Sequence, residues 1–323
     1  MTYLYFIGID VSNNFFDVVL HDNSSTKAAK AKRFQNSSAG FAALATEFAD
    51  VLPQTLVVLE ATGGYETALL THLCDAGVAV HRVQPLQARN YMRSLRNFAK
   101  TDNIDAAALA RYGAERHANL ALFVPADKKL QKLQDLQTRR DDLLAIRTAE
   151  RQRSKHPRYT NMKQSLANVS AVLDAELAAI EAEIEELIAS DTRLQQKKVV
   201  LKDVKSVGDT TANCLLACLP ELGTLTRRQV ASLAGLAPHP KDSGNQVGYR
   251  AVRGGRHAVR RALYMATLSA IRYNPQIKTF YERLIKEGKK PIVALTAAMR
   301  KMIVILNAKI RDTCYPELFL KTW

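Results

Sequence analysis

Cysteine and tryptophan are scarce in this chain: its 323 residues hold four cysteines and one tryptophan. Of Cys74, Cys214, Cys218 and Cys314, only Cys214 and Cys218 are close, at helical spacing inside an apolar stretch. With no Cys-x-x-Cys and no Cys/His cluster, neither a zinc site nor a disulfide framework is expected, and buried thiols in a reducing cytoplasm are. No apolar run approaches the roughly 20 residues that span a bilayer. The opening MTYLYFIGID lacks the basic segment and cleavage site of a secretion signal. The expectation is a cytoplasmic protein with no membrane partner. Acidic residues are also in deficit, 31 against 46 Lys and Arg, for a formal charge of +15 and a pI near 9.7. An excess of that size points to a polyanionic partner, nucleic acid first. The remainder is ordinary globular composition, 47% hydrophobic and 24% charged, long enough for two or three units with their own cores.

Up to about Pro125, strand and helix signals alternate. Tyr3 to Ile9 and Phe15 to His21 read as strands joined at Ser12-Asn13-Asn14, and Arg33 to Gln35 ends a third. Gly40 to Val51 is an amphipathic helix, Thr55 to Glu60 (TLVVLE) a buried strand broken by Gly63-Gly64, and Tyr65 to Ala76 a helix. Val78 to Val83 is a further strand, and Pro85 suits the first turn of the next helix. This alternation predicts an α/β layer fold for residues 1–125. Residues 126–196 carry no strand signal. Leu166, Val169, Leu173, Leu177, Ile180, Ile184 and Leu187 form a heptad-like seam, with arginines before His156-Pro157 and glutamates after. Two long helices are expected, paired with each other or with a second copy as a coiled coil. Residues 197–323 read as mostly helical. Within them Val204-Lys205-Ser206-Val207-Gly208 resembles a degenerate helix-hairpin-helix turn, with Ser206 at the usual first glycine.

Three sets of residues carry chemistry. Asp10 and Glu60 end apolar strands, and Asp102 and Asp105 lie three apart at a helix start. The Asp102/Asp105 pair alone also suits an N-cap and a first-turn charge. Taken as a set of four, converging carboxylates repel unless a cation neutralises them, and hard oxygen donors suit Mg²⁺ or Mn²⁺. Two such ions clamp the attacking and leaving oxygens of a phosphodiester. Ser243, in Lys241-Asp242-Ser243-Gly244, is either an exposed nucleophile or a Ser-Gly turn. Arg250, Arg253, Arg256 and Arg260 form one basic run; Arg89, Arg93 and Arg96, interleaved with Tyr91 and Phe98, form another. Guanidinium groups suit bidentate phosphate contact, so both are candidate nucleic-acid surfaces.

The ordered set Gly8-Ile9-Asp10-Val11-Ser12, Glu60-Ala61-Thr62-Gly63-Gly64-Tyr65, Asp102 through Asp105-Ala106, Ala234-Gly235-Leu236-Ala237-Pro238, Asp242-Ser243-Gly244, Gly254-Gly255-Arg256 and Arg260-Arg261-Ala262-Leu263-Tyr264-Met265 resembles the DEDD-type insertion-sequence transposases, relatives of the Piv-type DNA invertases. The resemblance implies a RuvC-like, RNase H-like N-terminal domain (1–125) whose Asp10, Glu60, Asp102 and Asp105 bind Mg²⁺. It implies a coiled-coil assembly segment (126–196) and a C-terminal transposase domain (197–323) with Ser243 as nucleophile. It further implies donor and target double-stranded DNA as substrates, an element-encoded guide (bridge) RNA, and a dimer or dimer of dimers with composite sites. Three rivals remain at this point: a RuvC-like junction resolvase without a covalent intermediate, an actin-like kinase suggested by GIDVS, and a non-catalytic nucleic-acid-binding protein.

Overall fold

A computed structural model of the chain describes residues 3–22, 30–95, 102–125, 127–240 and 250–318. The chain divides into two compact units, Met1–Ala126 and Asp127–Trp323.

The N-terminal unit is built on β1 (Tyr5–Val11), β2 (Phe15–Asp22), β3 (Lys32–Gln35), α1 (Ser38–Glu47), β4 (Thr55–Glu60), α2 (Thr67–Asp75), β5 (Ala79–Val83), α3 (Pro85–Ser94) and α4 (Asp102–Arg116). The sheet order is β3-β2-β1-β4-β5. β1 pairs antiparallel with β2 and β2 with β3, whereas β4 runs parallel to β1 and β5 parallel to β4. Three antiparallel strands extended by two parallel ones form the RNase H-like arrangement that the resemblance implies. The central Leu56-Val57-Val58-Leu59 of β4 is apolar on both faces because helices cover both. Ile7, Ile9, Val57 and Leu59 pack with Phe41 and Leu44 of α1 and Leu69 and Leu73 of α2. Phe6, Leu56 and Val58 pack on the opposite face with Ala88 of α3 and Leu109 of α4.

The second unit opens with a helical hairpin, α5 (Lys128–Lys155) and α6 (Lys163–Ala189). Asp127 caps α5 by accepting from the backbone N–H of Lys129 and Leu130, at 2.8 and 3.2 Å. The two helices pair with each other, and the polarised charge of the sequence is used across the pair: Lys132 binds Glu183, Arg140 binds Glu181 and Arg147 binds Asp174. Near the root, Leu133, Ile184 and Ile188 belong to the large core of this unit. Further out, only Leu143, Leu173 and Leu177 form a small buried cluster, and Val169, expected in the seam, is 43% exposed.

There follow α7 (Thr192–Lys202), α8 (Asp209–Cys218), α9 (Arg227–Leu233), β6 (Pro238–His239), β7 (Ala251–Val252), α10 (His257–Tyr273), α11 (Pro275–Lys286) and α12 (Pro291–Cys314). Caps fix several starts: Asp191 for α7, a reciprocal Thr226/Gln229 box for α9, and Asn274 for α11. In the turn between α7 and α8, Ser206 has φ of +88°, so a serine holds the left-handed conformation that glycine normally takes. α12 is long and apolar enough to cross a membrane by composition. Its Ala294, Leu295, Ala298, Met299, Met302, Ile303, Leu306 and Ile310 are instead buried as a core helix.

Candidate active site

Alternation along two neighbouring strands puts Asp10 and Glu60 on one face, and a glycine lets α4 approach that face. Asp10 and Glu60 each follow directly on the paired residues Ile9 and Leu59 of the parallel neighbours β1 and β4. Alternation puts both on the side of Phe6 and Val58, the side that α4 covers. A Cβ at Gly8 would collide with the Ala106 carbonyl oxygen and the Ala110 amide nitrogen, so α4 rests directly on the β1 backbone. Asp105 precedes Ala106, and Asp102 is the first residue of α4. Asp10, Glu60 and Asp105 are all half-buried, and each has an interaction partner. Further along α4, a Cβ at Gly113 would press on the Val58 and Phe6 side chains.

Two residues absent from the sequence expectation extend this row. Asp17 lies directly opposite Asp10 in the β1–β2 ladder, and Arg33 lies opposite Asp17 in the next. Arg33 grips Asp17 with two hydrogen bonds, Nε to Oδ1 at 3.0 Å and Nη2 to Oδ2 at 2.8 Å. At one level of the sheet the residues therefore run Glu60, Asp10, Asp17, Arg33, three carboxylates and one guanidinium.

The loops around this rim are tied by side chains. Asn36 Nδ2 donates to the carbonyls of Ser12 (3.0 Å) and Tyr65 (3.1 Å), joining the segment after Asp10 to the segment after Glu60. Buried Glu66 accepts from Thr62 N (3.1 Å), Thr62 Oγ1 (3.0 Å) and Gly64 N (2.9 Å). Gly63 and Gly64 have φ of +79° and +119°, which only glycine adopts readily. Burial works to raise the Glu66 pKa, and the hydrogen bonds from its own backbone, Gly64 and Thr62 outweigh it, leaving the carboxyl below its ordinary value. The signal for Glu66 was present in the sequence: a carboxylate just past two glycines is a natural acceptor for their loop.

All-oxygen, half-buried donors on one face suit a hard divalent cation. Among the described residues, no three His, Cys, Asp or Glu side chains are gathered closely enough to hold a metal ion.

In the second unit, Ser243, with Asp242 and Gly244, lies outside the described residues, as do Arg96, Lys100 and Trp323. The two-residue ribbon β6–β7, pairing Pro238 with Val252 and His239 with Ala251, brackets the segment that carries the serine. Behind it two loops cross in backbone contact: a Cβ at Gly255 would strike Gly235 N and Cα, and Arg256 N donates to Leu233 O at 2.7 Å. This crossing accounts physically for the Ala-Gly-Leu-Ala-Pro and Gly-Gly-Arg motifs.

The candidate arginines divide in two. Arg256 is engaged inside the fold, donating to both Glu221 carboxylate oxygens at 2.6 Å and to Cys218 O at 2.9 Å. The Arg256 guanidinium holds the Glu221 carboxyl below its ordinary pKa. Arg260 Nη1 donates to the carbonyls of Gly235 and Gly254, at 3.3 and 3.1 Å. Their donors lock the loop crossing. Arg253, Arg89 and Arg93 are exposed, and Arg250 lines a cavity of about 420 Å³ with Pro238, Val252, Ile292 and Arg300.

A mixed sheet with acidic residues aligned at one rim, joined in sequence to a helical unit with an arginine-rich loop, belongs to an enzyme that processes DNA, of the transposase and recombinase class. Residues 7–156 match the family described as the DEDD transposase of IS110 type, and residues 199–282 match the transposase IS116/IS110/IS902 family. The chain belongs to this family of insertion-element transposases. It is 28% identical over 314 residues to the pilin gene-inverting protein of Moraxella lacunata, covering 95% of this chain and 96% of that one. It is also 33% identical over 156 residues to an uncharacterized 43.6 kDa protein of insertion element IS110 from Streptomyces coelicolor, covering 47% of this chain and 37% of that one. Among solved structures, T. thermophilus RuvC in complex with a Holliday junction substrate aligns over 38% of this chain and 100% of its own, with 14% identity and a TM-score of 0.30.

Proposed function

We propose that this transposase cuts and rejoins the donor and target DNA of an insertion element through a phosphoserine intermediate. Asp10, Glu60, Asp102 and Asp105 would hold a divalent cation, Mg²⁺ or Mn²⁺, and Ser243 would supply the nucleophile. The observation that carries this reading is the bare Gly8 backbone beneath Ala106, which sets the start of α4 against the ends of β1 and β4. On this reading the four carboxylates would repel one another unless a cation offset their charge. When bound, that cation neutralises charge building on the scissile phosphate. In the covalent step the serine hydroxyl gives up its proton, its oxygen bonds to phosphorus, and the sugar oxygen leaves and takes up a proton. The phosphoserine ester keeps the bond available for resealing to another strand.

On this reading residues 1–125 form the cation-binding domain, 126–196 the assembly segment and 197–323 the nucleophile-bearing domain. Exposed Arg89, Arg93 and Arg253, with Arg250, meet phosphates; Arg256 and Arg260 position the loop that leads from the serine. An element-encoded guide RNA selects the DNA by base pairing while the protein reads shape and backbone. The working form is a homo-oligomer, a dimer or dimer of dimers, in the cytoplasm.

The test is covalent trapping. Purified protein, Mg²⁺, RNA transcribed from the element's non-coding flank, and labelled donor and target DNA are mixed and run on a denaturing gel. A protein–DNA adduct is expected that vanishes in Ser243→Ala and in Asp102→Ala. Free cut ends that survive Ser243→Ala but not Asp102→Ala would overturn the serine mechanism and leave a metal-dependent nuclease.

A further inference from the structure

Charge along the α5–α6 hairpin is sorted by position. Between Glu150 and Asp174 the chain has no acidic residue, and Arg151, Arg153, Lys155, Arg158 and Lys163 all fall in that interval. All five are exposed. Arg151 reaches Asp174 at 3.5 Å, and Arg153 pairs with Glu150. Among the described residues, Lys155, Arg158 and Lys163, grouped around the turn at the far end of the hairpin, have no ion-pair partner.

Helix stability does not account for this group. A cation suits the last turn of a helix, which explains Lys155 at the end of α5. Lys163 is the first residue of α6, the end at which the helix dipole disfavours positive charge. Arg158 lies in the turn between them, and like charges gathered there repel one another. The turn that holds them is tied by its own bonds. His156 Nδ1 accepts from Arg158 N at 3.2 Å, Thr160 Oγ1 donates to Pro157 O at 2.6 Å, and the Tyr159 ring meets the His156 ring edge-on.

A second copy of the chain has little to offer these cations. On the acidic arm of the hairpin, Glu181, Glu183 and Glu185 are already engaged by Arg140, Lys132 and Lys198 of the same chain. A polyanion from outside the protein fits better, and DNA is the polyanion on which an enzyme of this class acts. About 33 Å of helix separates Leu133, in the core, from Lys155 at the tip. That reach matches about ten base pairs of duplex.

We propose that Lys155, Arg158 and Lys163 form a contact surface for the phosphate backbone of duplex DNA, placed at the end of the hairpin so that it meets DNA flanking the site of strand exchange. Phosphate contact of this kind binds without reading sequence. The proposal requires DNA as the partner and is independent of how the strand is cut.

The experiment uses the full chain in EDTA, so that binding is read without cutting. Fluorescence anisotropy follows a long labelled duplex DNA and a duplex RNA of equal length over a range of salt. The triple variant Lys155→Gln, Arg158→Gln, Lys163→Gln is expected to bind the DNA about tenfold or more weakly at low salt, with the slope of log affinity against log salt reduced by about 2.7 for three phosphates. Its melting temperature and sedimentation coefficient keep the native values. A benzoylphenylalanine photo-crosslinker in place of Asn161, exposed in the same turn, is expected to join the protein to the DNA. Native DNA affinity and slope in the triple variant, or no crosslink to DNA, overturns the proposal. Loss confined to the RNA duplex overturns it in favour of RNA, and crosslinks to a second protein chain without any to DNA overturn it in favour of an assembly contact. Failure of the serine reading is seen separately, in the covalent-trapping gel, and leaves binding at the hairpin tip unchanged.

Discussion

Gly8 and Ala106 meet backbone to backbone: no side chain fits between β1 and α4 at this point. The contact is what sets the Asp102–Asp105 turn against β1, the strand that carries Asp10. Gly8→Ala forces the helix away because neither the Ala106 carbonyl nor the Ala110 amide can rotate aside. A loss of about 3 kcal/mol is expected in urea unfolding, at the upper end for overpacking. Gly113→Ala meets Val58 Cγ2 at 2.8 Å and Phe6 Cδ1 at 3.3 Å, side-chain atoms that can shift. It should lose about 1 kcal/mol and keep strand transfer. Equal losses for the two variants would refute this account of Gly8.

Ser206 stands at φ +88° with its hydroxyl buried and without a hydrogen-bond partner. Glycine relieves the backbone strain and removes the unsatisfied group. Ser206→Gly should therefore raise stability by about 1 kcal/mol, seen as a higher melting temperature by calorimetry. A lower melting temperature would show that the turn is not strained.

Arg256 and Arg253, three residues apart, should respond oppositely to salt. Arg256→Lys loses the fork that grips Glu221 and Cys218 O, and about 1–2 kcal/mol of stability is expected to go, discounted because the pair is part-exposed. Its DNA affinity should show the native salt dependence. Arg253→Ala should leave stability within about 0.5 kcal/mol and reduce the slope of log affinity against log salt by about 0.9. Titrations of one duplex between low and moderate salt separate the two.

The carboxyl of Glu66 has a folded pKa below the ordinary 4.5, so its contribution is present above that value and is lost as pH falls through the folded pKa. Melting temperature should drop as pH is lowered past about 4.5, and Glu66→Gln should flatten that part of the profile. The variant should also be about 1–3 kcal/mol less stable at neutral pH, because its neutral amide oxygen accepts from Thr62 and Gly64 more weakly than the carboxylate does. An unchanged acid profile in the variant would remove Glu66 from this role.

Local chemistry made much of the fold legible. TLVVLE is β4 from Thr55 to Glu60, and Pro85 opens α3, because an apolar run beside glycines and a proline at a helix start have few alternatives. Asp10 and Glu60 stand beside apolar strand runs that the sequence made legible, and alternation along β1 and β4 puts both on the side that α4 covers. Partnerships across the ladder were not legible. Asp17 lies against Arg33 only because the antiparallel register of β2 with β3 sets them opposite each other, and no spacing in the sequence encodes that. Nor does a run of arginines reveal which member will meet Glu221, 35 residues upstream. Ser206 was visible as a departure from glycine, but only the backbone shows that the serine takes the glycine conformation.

The hairpin of α5 and α6 has a mechanical consequence. Its longer helix, 28 residues, reaches about 42 Å, yet apolar packing secures it chiefly at the root. Beyond the cluster of Leu143, Leu173 and Leu177, the arms are joined mainly through ion pairs such as Arg147–Asp174, which water and salt weaken. The arm is thus a cantilever of graded stiffness, clamped where it enters the core and progressively more compliant toward Pro157. Small rotations at its base become displacements of several ångströms at its free end, and ionic strength sets how far that end yields.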